Sequence, residues 1–347
     1  MKNYLLKTLD FEVSNPCNEK CIHCYRHCFN KEKGFMTCKD IEYVLKETED
    51  FIEEKHIVVL TGGEFFLNPE WKQIVKTVSD YNRRFCIYTN GTLISKDDVD
   101  YLAQFVDKGL KEIQLSLYGI DEQIHDSVTG LKGSCEKTKN ALMMLKERNI
   151  PLFVSCCAMQ QNKDEFYKVM KWCDDNDIRS SVHLMIFGPS DYSDSNKSIR
   201  LTEEDFENFF NITMENNGEL SYIWGRPMNR EDISDEFYYH TARELCITPS
   251  GDVYPEIGWY KKIGNIYTNR IKDIFYKSDF MNKLREYKIS EMKCSSCPDF
   301  DYCTRYPVPH VTANNGEPGK YDQRSCDYIH LIKSFAERRD QLLRKEK

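Results

Sequence analysis

Three cysteines near the start of the chain have a spacing that could hold one metal centre. Cys17, Cys21 and Cys24 follow an apolar, strand-like run in the pattern C-x3-C-x2-C. Three thiolates leave the fourth position of a centre open, and a 4Fe-4S cluster bound in this way has one iron free to take a substrate or cofactor. A structural zinc site normally fills all four positions. The spacing therefore indicates a reactive iron centre.

Two features bear on the alternative of a zinc site. His23 or Cys28 could supply a fourth ligand and close an ordinary zinc site with the three cysteines. A second motif favours iron, because the apolar run at 56–64 ends in Gly62-Gly63-Glu64. Glycines let a backbone approach a ligand closely, and the carboxylate can accept bonds from an ammonium group. Alone, this motif could also be an ordinary strand-to-helix turn.

A second set of cysteines lies near the other end of the chain. Cys294, Cys297 and Cys303 form C-x2-C-x5-C, and Cys326 follows after 22 residues. Four thiolates can close a complete 4Fe-4S site or a zinc site. A glycine-containing turn precedes the set and predicts a β-hairpin over 246–254.

The elements that must position these residues alternate between strand and helix. Strands are expected at 9–13, 57–61, 84–89, 113–117, 151–157 and 181–187, and helices at about 38–54, 70–81, 95–109, 134–148, 164–176 and 202–216. Several strands are near-continuous apolar runs, as expected for parallel strands buried on both faces. Ser95 and Ser134 are expected to cap their helices.

Six strands with intervening helices predict an α/β fold, a partial (β/α)6 TIM-like barrel. Active sites of parallel barrels gather at the carboxyl ends of the strands. Gly62, Asn90, Ser116 and Gly188 all fall at such ends. The motifs are therefore expected to converge on one mouth of the barrel.

Composition narrows the class of protein. A chain of 347 residues with 40% hydrophobic and 13% aromatic residues can build two domains with sizeable cores. The net charge of −8 offers no basic patch for nucleic acid, and no signal peptide or long apolar run indicates a membrane. Fifteen cysteines without an export signal indicate metal ligation in a reducing compartment. We expect a cytoplasmic protein that binds neither nucleic acid nor membrane.

The two N-terminal motifs together resemble the radical S-adenosylmethionine (radical SAM) superfamily. The resemblance implies that Cys17, Cys21 and Cys24 bind a 4Fe-4S cluster whose fourth iron chelates SAM. It also implies that Gly62, Gly63 and Glu64 hold the amino group of SAM. His23 would lie beside the adenine, and Asn90 and Ser116 would contribute further SAM contacts.

The C-terminal block resembles the SPASM extension of radical SAM peptide-modifying enzymes. The hairpin and the C-x2-C-x5-C run belong to that pattern, which implies an auxiliary 4Fe-4S cluster on Cys294, Cys297, Cys303 and Cys326. Two ligands of a further auxiliary cluster are replaced by Glu256 and Pro307, and its upstream cysteine is absent. We therefore expect two clusters. Direct ligation of the substrate to an auxiliary iron is disfavoured, because four thiolates leave no iron position open. Sulfatase-type maturation is also disfavoured, because Ile257 stands where those relatives have Asp.

These resemblances predict a domain order and a reaction. We expect a radical SAM core at 1–190, a bridging region at 191–240, a SPASM-like domain at 241–330 and a helical tail at 331–347. The enzyme would cleave SAM reductively to a 5′-deoxyadenosyl radical and take hydrogen from a substrate. That substrate is expected to be a ribosomally made peptide, which would then be crosslinked, epimerised or otherwise oxidised.

We also expect partner proteins, and the sequence leaves two alternative functions open. A flavodoxin or ferredoxin would donate electrons, and a separate protein could bind a peptide leader, because about eight residues precede the first predicted strand. Cys246 is a candidate hydrogen-atom donor, and the favoured alternative is a hairpin residue that packs against the core. A radical SAM enzyme acting on a tetrapyrrole or another small molecule is the alternative function. A zinc-binding interaction protein is the non-enzymatic one.

Metal content separates the iron and zinc hypotheses. Protein purified without oxygen should contain roughly eight iron atoms per chain and little zinc, because two 4Fe-4S clusters are expected. Elemental analysis of the purified chain measures both metals. Stoichiometric zinc without iron would contradict a radical mechanism.

Overall fold

The computed structural model describes residues 4–26, 34–215, 234–303 and 306–345. Cys28, Thr304 and Arg305 lie outside these residues, as do Trp224, Arg226 and Arg230 of the expected bridging region.

Six parallel strands form the body of one sheet. They are β1 (Leu6–Ser14), β2 (Ile52–Gly62), β3 (Phe85–Thr89), β4 (Leu110–Ser116), β5 (Leu152–Cys157) and β6 (Arg179–His183). Each strand pairs in parallel with the next along the chain. The six expected strands are thereby confirmed, as is the order of a partial (β/α)6 barrel.

Helices connect the strands. They are α1 (Cys38–Thr48), α2 (Trp71–Asp80), α3 (Lys96–Ala103), α4 (Glu122–Thr129), α5 (Ser134–Glu147), α6 (Phe166–Asp175) and α7 (Glu203–Glu215). Hydroxyl caps begin two of them: Thr37 and Asp40 form a capping box on α1, and Ser95 and Asp98 form another on α3. These caps satisfy backbone amides that the first turn of a helix leaves open.

The C-terminal part extends the same sheet. Strand β7 (Glu244–Ile247) pairs in parallel with β1, and β8 (Asp252–Tyr254) and β9 (Gly264–Asn265) follow in antiparallel order. The hairpin expected at 246–254 is confirmed by the β7–β8 pairing. The remaining helices are α8 (Ile271–Lys277), α9 (Asp279–Glu286), α10 (Pro307–Ala313) and α11 (Gln323–Lys345).

Several boundaries differ from the sequence prediction. Helix α1 ends at Thr48, because the chain passes through one 3-10 turn and then enters β2 at Ile52, inside the range expected to be helical. Helix α4 was not expected. It begins at the Asp121 cap and ends at Gly130, which has a positive φ of 66°. Ser134 does not cap α5, since its hydroxyl instead donates to the Asp126 carboxylate at 2.9 Å.

Side chains of β1 alternate between an apolar outer face and a polar inner face. Leu9, Phe11 and Val13 are fully buried in the main hydrophobic core. Asp10 and Glu12 are also buried, but they lie on the opposite face because successive side chains of a strand point to opposite sides. The expectation of apolar strands on both faces therefore fails for β1. The barrel carries buried charge on its inner face, which we call the lumen.

No helix among the described residues is both long enough and apolar enough to cross a lipid bilayer.

Candidate active site

The first cysteine set lies in the loop that leaves the carboxyl end of β1. Cys17, Cys21 and Cys24 are half-buried and form no disulfide, and the Cys24 amide donates to the Cys21 carbonyl at 3.1 Å. Burial raises the pKa of the Cys17 thiol to about 12, and the neighbouring Glu64, Glu19 and Cys24 contribute to the increase. The three thiols are thus close enough to influence one another. A positively charged metal centre is what would stabilise their thiolate forms here.

Helix α4 holds this cysteine loop through its last carbonyl groups. The Lys20 amide donates to the Thr129 carbonyl at 2.7 Å, and the Ile22 amide donates to the Val128 carbonyl at 3.0 Å. The carbonyl groups of a helix end have no partners within the helix. In this protein they position the segment between the first two thiols and the segment that leads to the third.

The glycine pair makes direct backbone contact with the same loop. The Gly63 amide donates to the Ser14 carbonyl at 2.7 Å. A Cβ added at Gly62 would lie 2.5 Å from the Ser14 carbonyl oxygen, and one added at Gly63 would lie 2.3 Å from the Pro16 carbonyl oxygen. Gly62 also has a φ of 146°, which L side chains rarely adopt. Both positions therefore require glycine for steric reasons.

The Glu64 carboxylate accepts three hydrogen bonds within the protein. It is completely buried and accepts hydrogen bonds from the Phe66 amide (3.0 Å), the Thr89 hydroxyl (2.7 Å) and the Asn90 amide (2.9 Å). Burial raises the pKa of this carboxyl group. The sequence suggested that the carboxylate could accept bonds from a ligand ammonium. In the structure these three bonds join the ends of β2 and β3, and the expected contact with the amino group of SAM stays a prediction.

Asn90 links the end of β3 to the cysteine loop. Its side-chain nitrogen Nδ2 donates to Asn18 Oδ1 at 2.9 Å and lies 3.9 Å from the Cys17 sulfur. Its side-chain oxygen Oδ1 accepts from the Thr92 hydroxyl at 2.7 Å. Asn18 in turn donates to Thr92. Sequence reasoning selected Asn90 but missed Asn18 and Thr92, whose only sequence signal is proximity to a motif or a strand end.

His23 and Ser116 lie on the α4 side of the site. The His23 ring contacts the Tyr118 ring edge-on, with 4.8 Å between centroids, and burial lowers the pKa of His23 to about 4. The ring is therefore neutral at physiological pH. Its Nδ1 is buried and has no hydrogen-bond partner within the described ranges. Ser116 ends β4 and is half-buried, next to Ser155 on β5.

The second cysteine set gathers at the start of α11. Cys294, Cys297 and Cys303 lie on short 3-10 turns and the residues after them, and Cys326 lies in the first helical turn of α11. Burial raises the pKa of the Cys326 thiol to about 11, with contributions from the other three cysteines. An Asp299–Lys333 ion pair at 2.6 Å ties the cysteine loop to α11. All four expected ligands thus lie near one another.

A 4Fe-4S cluster and a single metal ion require different arrangements of the thiols. In the part of the chain that the structure describes, no group of three or more His, Cys, Asp or Glu side chains is tight enough to hold one metal ion. The thiols of each set are nevertheless mutual electrostatic neighbours. In a 4Fe-4S cluster each thiolate binds a different iron, whereas in a zinc site all ligands share one ion. The proximity of the thiols within each set is compatible with a cluster.

Comparison with known proteins agrees with this geometry. Residues 11–173 match the family model described as the radical SAM superfamily, and residues 239–298 match SPASM, described as an iron-sulfur cluster-binding domain. This chain is a radical SAM enzyme with a C-terminal SPASM domain. The expected cofactors, 4Fe-4S clusters and SAM, are those of this pair of domains. The SPASM match includes Cys294 and Cys297 and ends before Cys303 and Cys326.

Individual relatives of this radical SAM enzyme are distant. The antilisterial bacteriocin subtilosin biosynthesis protein AlbA of Bacillus subtilis is 28% identical over 159 residues, which cover 45% of this chain and 34% of AlbA. The AdoMet-dependent heme synthase of Methanosarcina barkeri is 22% identical over 320 residues, which cover 84% of this chain and 88% of the synthase. The solved structure of native anSMEcpe with bound AdoMet and the Cp18Cys peptide has a TM-score of 0.72 at 18% identity and covers 99% of both chains. That likeness shows a shared fold.

The remaining candidate, Cys246, lies in the middle of β7. It is fully buried and pairs in register with Asp10 of β1. Burial, followed by the nearby Glu12 and Asp10, raises the pKa of this thiol well above its usual value. The side chain is therefore a protonated thiol on the lumen side of the sheet. Glu256, which replaces an expected auxiliary ligand, is buried and accepts from the Thr241 hydroxyl at 2.8 Å.

The glycine pair allows a test with a matched control. Gly63→Ala should displace the cysteine loop, because the new methyl group would overlap the Pro16 carbonyl, and iron content should fall from about eight to about four per chain. Gly119→Ala, at the end of another strand, should leave the iron content unchanged, since its nearest contact would be 3.4 Å. Iron analysis after anaerobic reconstitution measures both. Full iron content in Gly63→Ala would contradict this role of the backbone contact.

Proposed function

We propose that this radical SAM enzyme modifies a ribosomally made peptide by removing a hydrogen atom from an unactivated carbon. The observation that carries the proposal is the presence, on one chain, of a three-cysteine loop at the barrel mouth and a four-cysteine set that begins in the SPASM match and continues beyond it. AlbA, a bacteriocin biosynthesis protein, supports a peptide substrate, and so does the peptide bound by anSMEcpe. A crosslink, an epimerised residue or another oxidation would be the product.

In this proposal Cys17, Cys21 and Cys24 are the ligands of the SAM-binding cluster. When bound, that cluster and SAM would supply a 5′-deoxyadenosyl radical by one-electron cleavage of the sulfonium. The chain's own residues position and shield the reaction. The α4 carbonyl groups hold the loop, and the Gly62–Gly63 backbone and Asn90 line its other side. Neutral His23 would lie beside the adenine, and Ser116 would contact SAM from the end of β4.

The second set would hold one auxiliary cluster. Cys294, Cys297, Cys303 and Cys326 provide four thiolates, so no iron would remain open to ligate the substrate directly. The cluster would carry an electron to or from the peptide intermediate, or stabilise the fold. With Glu256 and Pro307 in place of cysteines, we propose two clusters per chain. A flavodoxin or ferredoxin would supply electrons, and a separate protein could bind a leader peptide.

A tetrapyrrole or another small molecule is the second candidate substrate. The specific observation in its favour is the similarity to an AdoMet-dependent heme synthase over most of the chain. Haem-biosynthesis relatives usually have glycines after the third cysteine of the C-x2-C-x5-C run. In this chain Thr304, Arg305 and Tyr306 follow Cys303, which weakens the tetrapyrrole candidate. A short peptide encoded beside the gene, and its conversion by the purified enzyme, would favour the peptide.

The two cysteine sets should differ in their effect on SAM cleavage. With dithionite as reductant, Cys17→Ser should abolish formation of 5′-deoxyadenosine, because it removes a ligand of the centre that reduces SAM. Cys326→Ser should retain most of that activity and lose product formation with the peptide. Chromatography of the nucleoside measures the first result. Equal nucleoside yields from Cys17→Ser and the unaltered enzyme would contradict the assignment.

The hydrogen-donor role of Cys246 gives a separate prediction. Donation of a hydrogen atom from the thiol to a peptide carbon radical would form a C–H bond and leave a thiyl radical, which a reductant must restore with one electron and one proton. Cys246→Ala should then lower product formation at least tenfold while 5′-deoxyadenosine still forms. The control is Cys156→Ala, a buried cysteine of β5 that packs in the outer core. Product formation at an unchanged rate in Cys246→Ala would end the hypothesis.

A further inference from the structure

A cleft separates the residues that follow β6 from the C-terminal helices. Residues 185–188 form one wall, and Thr312 of α10 and Ser325 of α11 lie on the other. The cleft contains about 340 Å³ of empty space, including its open side. Two further lining residues, Asp194 and Ala313, are exposed, so a ligand can enter from solvent. We call this space the β6–α11 cleft.

The β6–α11 cleft adjoins both cysteine sets. On its first wall, the Phe187 ring lies 5.7 Å from the ring of Tyr25, which directly follows Cys24. On its second wall, Ser325 directly precedes Cys326. A group bound in the cleft would therefore contact residues next to a ligand of each expected cluster.

Two arginines line the β6–α11 cleft, and neither guanidinium group forms an ion pair with a described residue. Arg200 precedes α7, and Arg324 lies in the first turn of α11. Arg200 Nη2 donates to Asn196 Oδ1 at 2.7 Å, but Arg200 Nε is buried and has no hydrogen-bond partner in the described ranges. Burial lowers the pKa of both arginines, and the charge of Arg200 adds to the decrease for Arg324. A buried donor without a partner is unfavourable, so this donor favours an acceptor from a ligand.

Two aspartates of the same cleft moderate the positive charge. The Asp322 carboxylate accepts from the Ser325 amide at 3.0 Å and from the Ser325 hydroxyl at 2.6 Å, so it caps α11. Asp194 is exposed. Both carboxylates lie near enough to favour the charged form of Arg200, but neither accepts from its buried Nε. The formal charges of the lining residues therefore balance, while one guanidinium donor stays unsatisfied.

This lining suits a carboxylate better than other ligands. The planar N–H groups of a guanidinium match the two oxygens of a carboxylate, and such hydrogen bonds are strong because both partners are charged. A cation would meet two like charges. Because the aspartates balance the arginines, a singly charged carboxylate would be repelled less than a doubly charged phosphate group. A peptide offers carboxylates on its Asp and Glu side chains and at its C-terminus.

We propose that Arg200 and Arg324 of the β6–α11 cleft bind a carboxylate group of the peptide substrate, on an acidic side chain or at the C-terminus. This inference rests on the proposed function and deepens it, since it names a group that the peptide must present beside the two cysteine sets. The arginines determine specificity by holding the peptide and take no part in the radical chemistry.

Binding measurements on the anaerobic holoenzyme with SAM test the proposal without turnover. The probes are the capped tripeptides Gly-Glu-Gly and Gly-Gln-Gly, which have the same shape, and Gly-Gln-Gly with a free C-terminal carboxylate. Isothermal titration calorimetry should show one of the two acidic peptides binding about tenfold tighter than capped Gly-Gln-Gly, the ratio expected for a charge-assisted hydrogen bond. The peptide that binds tighter identifies the source of the carboxylate.

Variants assign the preference to the two arginines. Arg200→Gln and Arg324→Gln should each remove most of the preference for the acidic peptide. The control Arg148→Gln changes an exposed arginine after α5 that pairs with Asp100, and it should preserve the preference. Iron content should stay near eight atoms per chain in Arg200→Gln, because this residue lies far along the chain from every expected cluster ligand.

A charge-conserving variant separates recognition from structural support. Arg200→Lys keeps the positive charge but loses the planar pair of donors, so it should retain part of the preference that Arg200→Gln loses. Loss of the whole preference in both variants would show that Arg200 supports the shape of the cleft, and it would overturn the proposal. Equal binding of the acidic and neutral peptides to the unaltered enzyme, or no binding of any peptide, would also overturn it. These results do not depend on SAM cleavage, whose absence would instead contradict the proposed function.

Discussion

The close approach of two backbone segments is the constraint on which the site depends. Ser14–Pro16 and Gly62–Gly63 touch through amide and carbonyl groups, with no room for a Cβ between them. Because β1 and β2 are parallel neighbours, both segments leave the sheet at the same edge. The cysteine loop is therefore placed largely by peptide groups, with the Asn90 side chain as a further contact. Its side chains remain available for ligation and for contact with a cofactor.

Buried acids in this protein differ in how many hydrogen-bond donors surround them. Glu64 is surrounded by donors from β3 and the turn after β2, so its charge fixes the distance between strand ends. Fully satisfied polar networks of this kind make a site rigid. Asp10 and Glu256 are equally buried but have few donors. Buried acids with so few donors do not join strand ends as Glu64 does.

The features that the sequence predicted well are encoded by neighbouring residues. Cysteine spacing, the glycine pair and the apolar strands are local patterns, so the barrel order and both cysteine sets could be found without coordinates. Helix α4 was missed because it is a single short, polar segment whose role depends on its last carbonyl groups. The lumen carboxyl groups were missed for another reason: Asp10 and Glu256 are 246 residues apart, and only the pairing of β7 with β1 brings them together.

The pairing of β7 with β1 also joins the two matched regions into one sheet. A strand at the end of a sheet presents open amide and carbonyl groups that other chains can pair with. In this protein β7 covers that side of β1, so residues that match a SPASM domain complete the sheet of the radical SAM domain. Cutting the chain between the two matched regions would expose the edge of β1, the strand that leads into the cysteine loop, to pairing with other chains. The division by sequence family is thus not a division into independently stable pieces.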